Sequence, residues 1–400
     1  MDSAPIVALE IGTTKVRALV AQARDDDHLM VIGLGECPAR GIRKSEIVDF
    51  EHALACVRIA LQNAEENAGA SIRQVFILVS GGHIQHLVNR GSIPVLHPTN
   101  EITTEDVHHV MKTARAVNLP ADREILHTIC QYYYVDDQRG VSNPVGLEGG
   151  KLAADMLILH GLRVCLKNTF RVARSVPVDV QDFAFSGLCA GLAVLSPEEK
   201  ENGVIVIDLG GGTTDYLVYA GNTIAAAGSI AVGGDHLTND VAKGLRITQQ
   251  QAERLKEEHG SAVIDVSARA QKIELTAEGG SSRRFLRHGD LQLITSMRIE
   301  EILGLVKDQL EKQDLLRHLG AGVVLTGGGA YLKRITELTE RVFGVPCQLG
   351  KPRDVSGIAV ATDGPEYAAP LGMLRYAVRT AQHEAPSKTL SSLIKKLLRI

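Results

Sequence analysis

The sequence predicts an α/β protein of two related domains around a cleft, and three observations predict it. The first is a repeated opening. Ile6-Val-Ala-Leu-Glu10-Ile-Gly12-Thr13-Thr14-Lys15 and Val204-Ile-Val-Ile-Asp208-Leu-Gly210-Gly211-Gly212-Thr213-Thr214 both run from an apolar strand through a carboxylate into glycine and a Thr-Thr pair. The second is spacing: the two carboxylates lie 198 residues apart, about half of the 400-residue chain. That suggests two halves, each opening with a strand and a tight turn. The third is composition. With 44% hydrophobic and 22% charged residues and 39 glycines, the chain is an ordinary globular one, long enough for two or three domains.

Composition also excludes function classes. The net charge of −4, with no Trp, 7 Phe and 8 Tyr, supplies neither the basic field nor the stacking surface of a nucleic-acid binder, so none is expected as a partner. No two of the six cysteines form a C-x-x-C, and His127-Thr-Ile-Cys130 lacks the further ligands that zinc needs. Scattered cysteines with apolar neighbours read as buried thiols of a reducing compartment. Met-Asp-Ser-Ala-Pro is no signal peptide, and no apolar stretch reaches the length of a membrane span. The body of the chain is expected to be cytoplasmic.

The turns ask for a particular ligand. Glycines let backbone N–H groups approach phosphate oxygens, and threonine hydroxyls add donors. A carboxylate at each strand end, Glu10 and Asp208, faces a polyphosphate through hydrated Mg²⁺, which keeps several waters. Two such hairpins face to face would grip one nucleotide between domains. A third cluster, Val323-Val-Leu-Thr-Gly327-Gly328-Gly329, suits close approach to a nucleoside. Gly233 and Gly234 form a further tight turn, and Glu253 and Lys256 share a helix face one turn apart, as either cleft residues or a solvated pair.

These segments resemble the actin/Hsp70/sugar-kinase ATPase superfamily. Leu9-Glu10-Ile11-Gly12-Thr13, Cys37-Pro38-Ala39-Arg40-Gly41, Asn143-Pro144-Val145-Gly146-Leu147 and Val324-Leu325-Thr326-Gly327-Gly328 extend the resemblance, over nearly the whole chain, to the bacterial cell-division family FtsA. The resemblance implies an actin-like ATPase fold that binds ATP and Mg²⁺ at Gly12, Thr13, Thr14, Lys15, Gly210, Gly211, Gly212, Thr213, Thr214, Gly233, Gly234, Glu253, Lys256 and Gly327 to Gly329. Glu10 and Asp208 would face the metal, although many relatives carry Asp where this chain has Glu10.

The resemblance also implies a domain plan. Residues 1–82, 161–198 and 366–380 form the first core, and 199–243 and 321–365 the second. Residues 83–160 are an inserted α+β subdomain contributing to filament contacts. Residues 244–320 are a second insertion, helical after Ser296, that faces the C-terminal peptide of the tubulin-like protein FtsZ through Arg298 and Lys307. Small residues mark two helix crossings between the halves, Gly187, Ala190 and Gly191 in one and Ala368, Ala369 and Gly372 in the other.

The helix linking the halves, Phe183 to Gly191, holds no carboxylate or amide to position an attacking water, though Asp182 precedes it. Slow or absent hydrolysis follows. A small-molecule kinase of the same superfamily would need a general base that is not evident, and a pilus-assembly ATPase shares the core without the segment Asn143 to Leu147.

The end of the chain differs from the rest. After a polar linker from about residue 381, Leu390, Leu393, Ile394, Leu397 and Leu398 recur at i, i+3, i+4, i+7 and i+8, with Ile400 beside them. Lys388, Lys395, Lys396 and Arg399 lie opposite, and no acidic residue follows Glu384. This reads as an interfacial helix for anionic lipid rather than a terminal helix docked on the core, and the family resemblance implies the cytoplasmic face of the inner membrane. Burying its apolar side chains yields ~1–2 kcal/mol each and each cation adds about 1 kcal/mol. Ordering a dozen residues costs roughly as much again. One tail anchors weakly, and a filament of many tails anchors firmly.

Overall fold

The computed structural model describes residues 5–24, 28–275, 284–359 and 363–383. The first domain opens antiparallel with β1 (Ile6–Ile11), β2 (Lys15–Ala23) and β3 (Leu29–Pro38). The hairpin β4 (Ile42–Arg43) and β5 (Glu46–Ile47) leads to α1 (Phe50–Ala68), which starts where Asp49 caps the His52 N–H and stops at Gly69 with φ 62°. The apolar strand β6 (Gln74–Val79) then lies parallel to β1.

The insertion follows as β7 (Gln85–Pro94), α2 (Thr104–Arg115), β8 (Arg123–Val135), β9 (Gln138–Val141) and β10 (Lys151–Leu162). Its four-stranded antiparallel sheet has the order β7-β10-β8-β9, and α2 is set by a capping box between Thr103 and Asp106. Ile102, Val110, Leu152, Met156 and Ile158 form a core of its own, as an independent subdomain requires.

The chain returns through α3 (Arg163–Arg174) and β11 (Asp179–Phe185), then crosses by α4 (Ser186–Val194) and α5 (Pro197–Asn202). The second domain repeats the antiparallel opening with β12 (Val204–Leu209), β13 (Thr214–Ala220) and β14 (Thr223–Ile230). After α6 (Gly234–Leu245), α7 (Gln249–His259), β15 (Lys272–Leu275), β16 (Arg284–Arg287) and α8 (His288–Glu311), β17 (Val323–Thr326) pairs parallel with β12. Next come α9 (Ile335–Phe343), β18 (Cys347–Leu349) and β19 (Val355–Gly357), and α10 (Ala368–His383) crosses back onto α4.

The two large sheets are ordered β11-β6-β1-β2-β3-β19 and β14-β13-β12-β17-β18. The run β6-β1-β2-β3 in one recurs as β17-β12-β13-β14 in the other, so the repeated sequence motif marks a repeated topology. The crossing of α4 and α10 is as tight as its small residues suggested: a side chain on Gly372 would begin 1.7 Å from Cys189 O.

The structure shifts two boundaries. Ile299, Ile302, Leu303, Val306 and Leu310 of α8 belong to the core of the second domain with Ile205, Ile207 and Leu325, not to an outlying unit. Periodicity finds the helix but not its partner, so the 244–320 insertion ends before the second half of α8. Likewise α10 stays helical to His383, past the expected start of the linker. Residues 384–400, and with them Leu390, Leu393, Ile394, Lys395, Lys396, Leu397, Leu398 and Arg399, lie outside the described residues.

Candidate functional site

The glycine-rich turns converge on one cavity of about 480 Å³ between the two domains, within the usual range for a small-molecule site. Both hairpins close in the same way, Gly12 N–H donating to Lys15 O at 3.1 Å and Gly210 N–H to Thr213 O at 3.0 Å. They meet so closely that a side chain on Gly211 would start 2.0 Å from Thr14 Oγ1. Hydroxyls stitch the contact. The Ser45 N–H donates to Thr13 Oγ1 at 2.9 Å, and Ser45 Oγ and Ser80 Oγ each lie 3.2 Å from Thr213 Oγ1.

Fourteen of the sixteen expected nucleotide residues line this cavity: Gly12, Thr13, Thr14, Lys15, Gly210, Gly211, Thr213, Gly233, Gly234, Glu253, Lys256 and Gly327 to Gly329. Gly212 and Thr214 do not. Gly212 packs against Thr13 of the facing hairpin and Lys44 of the β4–β5 turn, and Thr214 is fully buried with its hydroxyl donating to Val232 O at 2.8 Å. Alternation along β13 turns Thr214 away from the cleft. Gly233 and Gly234 line the wall with their amides engaged: Gly233 N–H donates to His236 Nδ1 at 3.2 Å and Gly234 N–H to Gly210 O at 2.9 Å. They clamp the second hairpin to α6. Lys256 Nζ is 2.8 Å from both Glu253 carboxylate oxygens and 3.0 Å from Thr238 Oγ1, so this pair is a cleft wall rather than a solvated face.

The two expected metal-facing carboxylates differ. Glu10 accepts from Arg17 Nη1 at 2.9 Å, while Arg17 Nε and Lys15 Nζ hold Glu36 at 2.7 and 3.0 Å. Burial pulls the Arg17 guanidinium down, and the Glu10 and Glu36 carboxylates more than restore it above its ordinary value. Asp208 sits opposite Asp215 on the β12–β13 ladder. Burial, then Asp215 and Glu10, push its carboxyl well above the usual range, opposed by Arg17. Burial raises Asp215 to about 6, although the Ser229 and Ser80 hydroxyls draw it back; Ser80 Oγ donates to Asp215 Oδ1 at 2.8 Å. Burial also raises Asp235. Gly327 is pressed onto this group, since a side chain there would begin 2.2 Å from Asp208 Oδ1. Close-set carboxylates held against their own charge, beside glycine cradles and hydroxyl donors, are a donor set that fits a nucleotide phosphate with a divalent cation.

Sequence reading missed Arg17, Ser45, Ser80, Asp215, Asp235 and Tyr331. Asp215 could have been found, because it directly follows Gly-Gly-Gly-Thr-Thr; Ser80 reaches it across 135 residues, which no local pattern encodes. Arg298 and Lys307 make contacts within the domain: Arg298 bonds Asp240 of α6 at 2.5 Å and Glu301 at 2.7 Å, and Lys307 lies 3.6 Å from Glu311. His127, half of the His-x-x-Cys pattern, accepts from the Phe185 N–H at 3.0 Å, and no metal cluster occurs among the described residues. The cysteines there are all free thiols.

Comparison with known proteins identifies this architecture. A family model described as "Cell division protein FtsA" matches residues 205–372, and the cell division protein FtsA of Escherichia coli (strain K12) is 34% identical over 382 residues, 94% of this chain and 90% of that protein. The chain belongs to the FtsA family. A second model, "SHS2 domain inserted in FTSA", matches residues 81–160, where β7 to β10 form the separate subdomain. FtsA of Neisseria meningitidis serogroup B is 33% identical over 375 residues, 94% of this chain and 90% of its own. Solved structures share the actin-like fold at low identity. The PilM–PilN type IV pilus biogenesis complex gives a TM-score of 0.64 at 15% identity, covering 93% of this chain and 98% of that chain. MreB5 of Spiroplasma citri bound to ADP gives 0.56 at 16%, covering 96% and 99%. No helix among the described residues is long and apolar enough to cross a membrane.

Proposed function

We propose that this FtsA-family chain binds ATP with Mg²⁺ in the interdomain cleft, assembles into filaments on the cytoplasmic face of the inner membrane, and ties FtsZ filaments to that membrane at the division septum, where it helps recruit other division proteins. The observation that carries the nucleotide part is the convergence of three glycine-rich turns on one cavity beside under-compensated carboxylates. An MreB relative of the same fold is described as bound to AMPPNP, which supports ATP as the ligand.

When bound, Mg²⁺ would neutralise the phosphates. The residues here have separate tasks: Thr13, Thr14 and Thr213 orient the polyphosphate, Asp208 faces the hydrated cation, and Gly327 to Gly329 admit the nucleoside. Hydrolysis is slow on this reading. The first turn of α4 presents Ser186 and Gly187, and the carboxylate beside it, Asp215, is engaged by Ser80. Nucleotide then acts as a switch for assembly more than as fuel.

The membrane part is supported by the basic, amphipathic sequence of residues 388–400 and by the avidity of a filament carrying many such tails. Co-sedimentation with anionic vesicles tests it, comparing the full chain with one ending at Ser387, with and without ATP–Mg. The full chain pellets, more so with ATP–Mg, and the truncated chain stays in solution. Equal behaviour of the two chains contradicts the tether.

A further inference from the structure

The inserted subdomain is covalently part of the first domain, yet polar contacts along its inner side reach the second. Gln131 Nε2 on β8 donates to Ile224 O at 2.8 Å and Ala225 O at 3.5 Å, and Thr223 Oγ1 donates to Gln131 O at 3.4 Å. The Tyr132 hydroxyl donates to Ala220 O at 3.2 Å. On β7, His86 sets Nδ1 2.6 Å from Ala227 O and Nε2 3.0 Å from Gln313 Oε1, just beyond α8. Apart from Gln313 and Ala220, the last residue of β13, every second-domain partner lies on β14. Strand β14 is the edge of its sheet, where one row of backbone groups would otherwise lack partners.

The same strand leads into the cleft. Ser229 on β14 pairs in register with Asp215, which accepts from Ser80 of the first domain. Two residues past the strand, the chain enters Gly233 and Gly234 in the cavity wall. One strand is therefore gripped along its edge by the insertion and ends at the candidate nucleotide site. The insertion moves with the first domain and β14 with the second, so any rotation that opens the cleft shears these side-chain contacts. A cavity of about 650 Å³ between them, lined by Gln85, His86, Ile230 and Gln313 among others, leaves room for that motion.

We infer that the insertion is an interdomain strap: it holds β14 while the cleft is closed on nucleotide and lets go when the cleft opens, so that the position of the inserted subdomain reports occupancy of the site. The inference rests on the nucleotide reading above. Closed hairpins and an engaged strap occur together in this structure, with Gly211 against Thr14 and His86 on Ala227 O. Coupling between binding events is reciprocal, so weakening the strap weakens nucleotide binding even though His86, Gln131 and Tyr132 lie outside the cavity wall.

Hydrogen exchange of the full-length chain, with and without ATP–Mg, tests this beside direct measurement of ATP–Mg affinity. In the unaltered protein ATP–Mg slows exchange in the hairpins and also in 85–94, 127–135 and 223–230. In the His86→Ala/Gln131→Ala double variant the hairpins alone respond, and affinity falls about fivefold, the lower end of typical coupling. Tyr132→Phe, which removes one hydroxyl and keeps the ring, gives a smaller loss in the same direction and guards against misfolding of the double variant. Unaltered protein that binds ATP–Mg with no change in the strap segments, and variants that bind equally well, overturn the strap while leaving the nucleotide site standing. Failure of the unaltered chain to bind ATP–Mg overturns both.

Discussion

The two cleft hairpins have matching sequence patterns and opposite electrostatics. In the first, Glu10 is neutralised within its own domain by Arg17, and Glu36 by Arg17 and Lys15, with the Tyr367 hydroxyl donating to Glu36 at 3.0 Å. In the second, Asp208 and Asp215 face each other across one ladder with hydroxyls and a distant Arg17 for relief. A repeated motif therefore does not mean a repeated role. The first hairpin is a self-compensated wall, and the second is an anionic seat that an external cation would complete. Of the two carboxylates expected to face Mg²⁺, Asp208 has the stronger case.

Removing charge separates them most clearly. Arg17→Met strands Glu10 in a half-buried site, leaves Glu36 to Lys15 and Tyr367 alone, and should lower unfolding free energy by about 3 kcal/mol, near the low end for breaking a buried pair. Asp208→Asn relieves repulsion and should leave the nucleotide-free protein as stable or slightly more so. Urea denaturation of both variants checks the contrast; equal losses would erase the distinction between the hairpins.

The next effect is pH dependence. Asp215 titrates near 6 in the folded chain, against about 3.9 in an unfolded one. Between those values the folded protein holds a proton that the unfolded chain has released. Stability contributed by the protonated carboxyl is complete below pH 4 and is lost as pH rises to 6, roughly 2–3 kcal/mol in all. Asp215→Asn should flatten that part of the stability–pH curve. A smaller effect concerns the ligand: Asp208→Asn should weaken ATP–Mg binding about tenfold, or ~1.4 kcal/mol, by calorimetry. Smallest is Lys15→Ala, because the Lys15–Glu36 pair has a Lys side chain 41% exposed; its loss should cost under about 1 kcal/mol in the same denaturation assay.

Much of this was legible in the sequence because it is local. Glycine, threonine and carboxylate within six residues specify a tight turn and a phosphate-like ligand, and the repeat at half the chain length foretold the matching strand orders. What stayed hidden depends on distance. Arg17 follows Lys15 by two residues, so it points to the same face of β2, but its two carboxylate partners are set by β1 and β3 pairing. Ser80 meets Asp215 only once the domains dock. The period of α8 is plain from residue 299 onward, yet its burial in the second core follows from tertiary packing that no period specifies.

The central claim is that the second hairpin seats a cation-bound nucleotide which the first completes. Thermal unfolding of the full chain tests this most directly, in ATP with excess Mg²⁺, in ATP with EDTA, and without nucleotide, repeated on Asp208→Asn. Ligand that binds only the folded state must raise the melting temperature. The account predicts a clear rise with ATP–Mg, little with ATP and EDTA, and a loss of most of the metal-dependent part in Asp208→Asn. An equal rise with and without Mg²⁺, unchanged by that substitution, would contradict it.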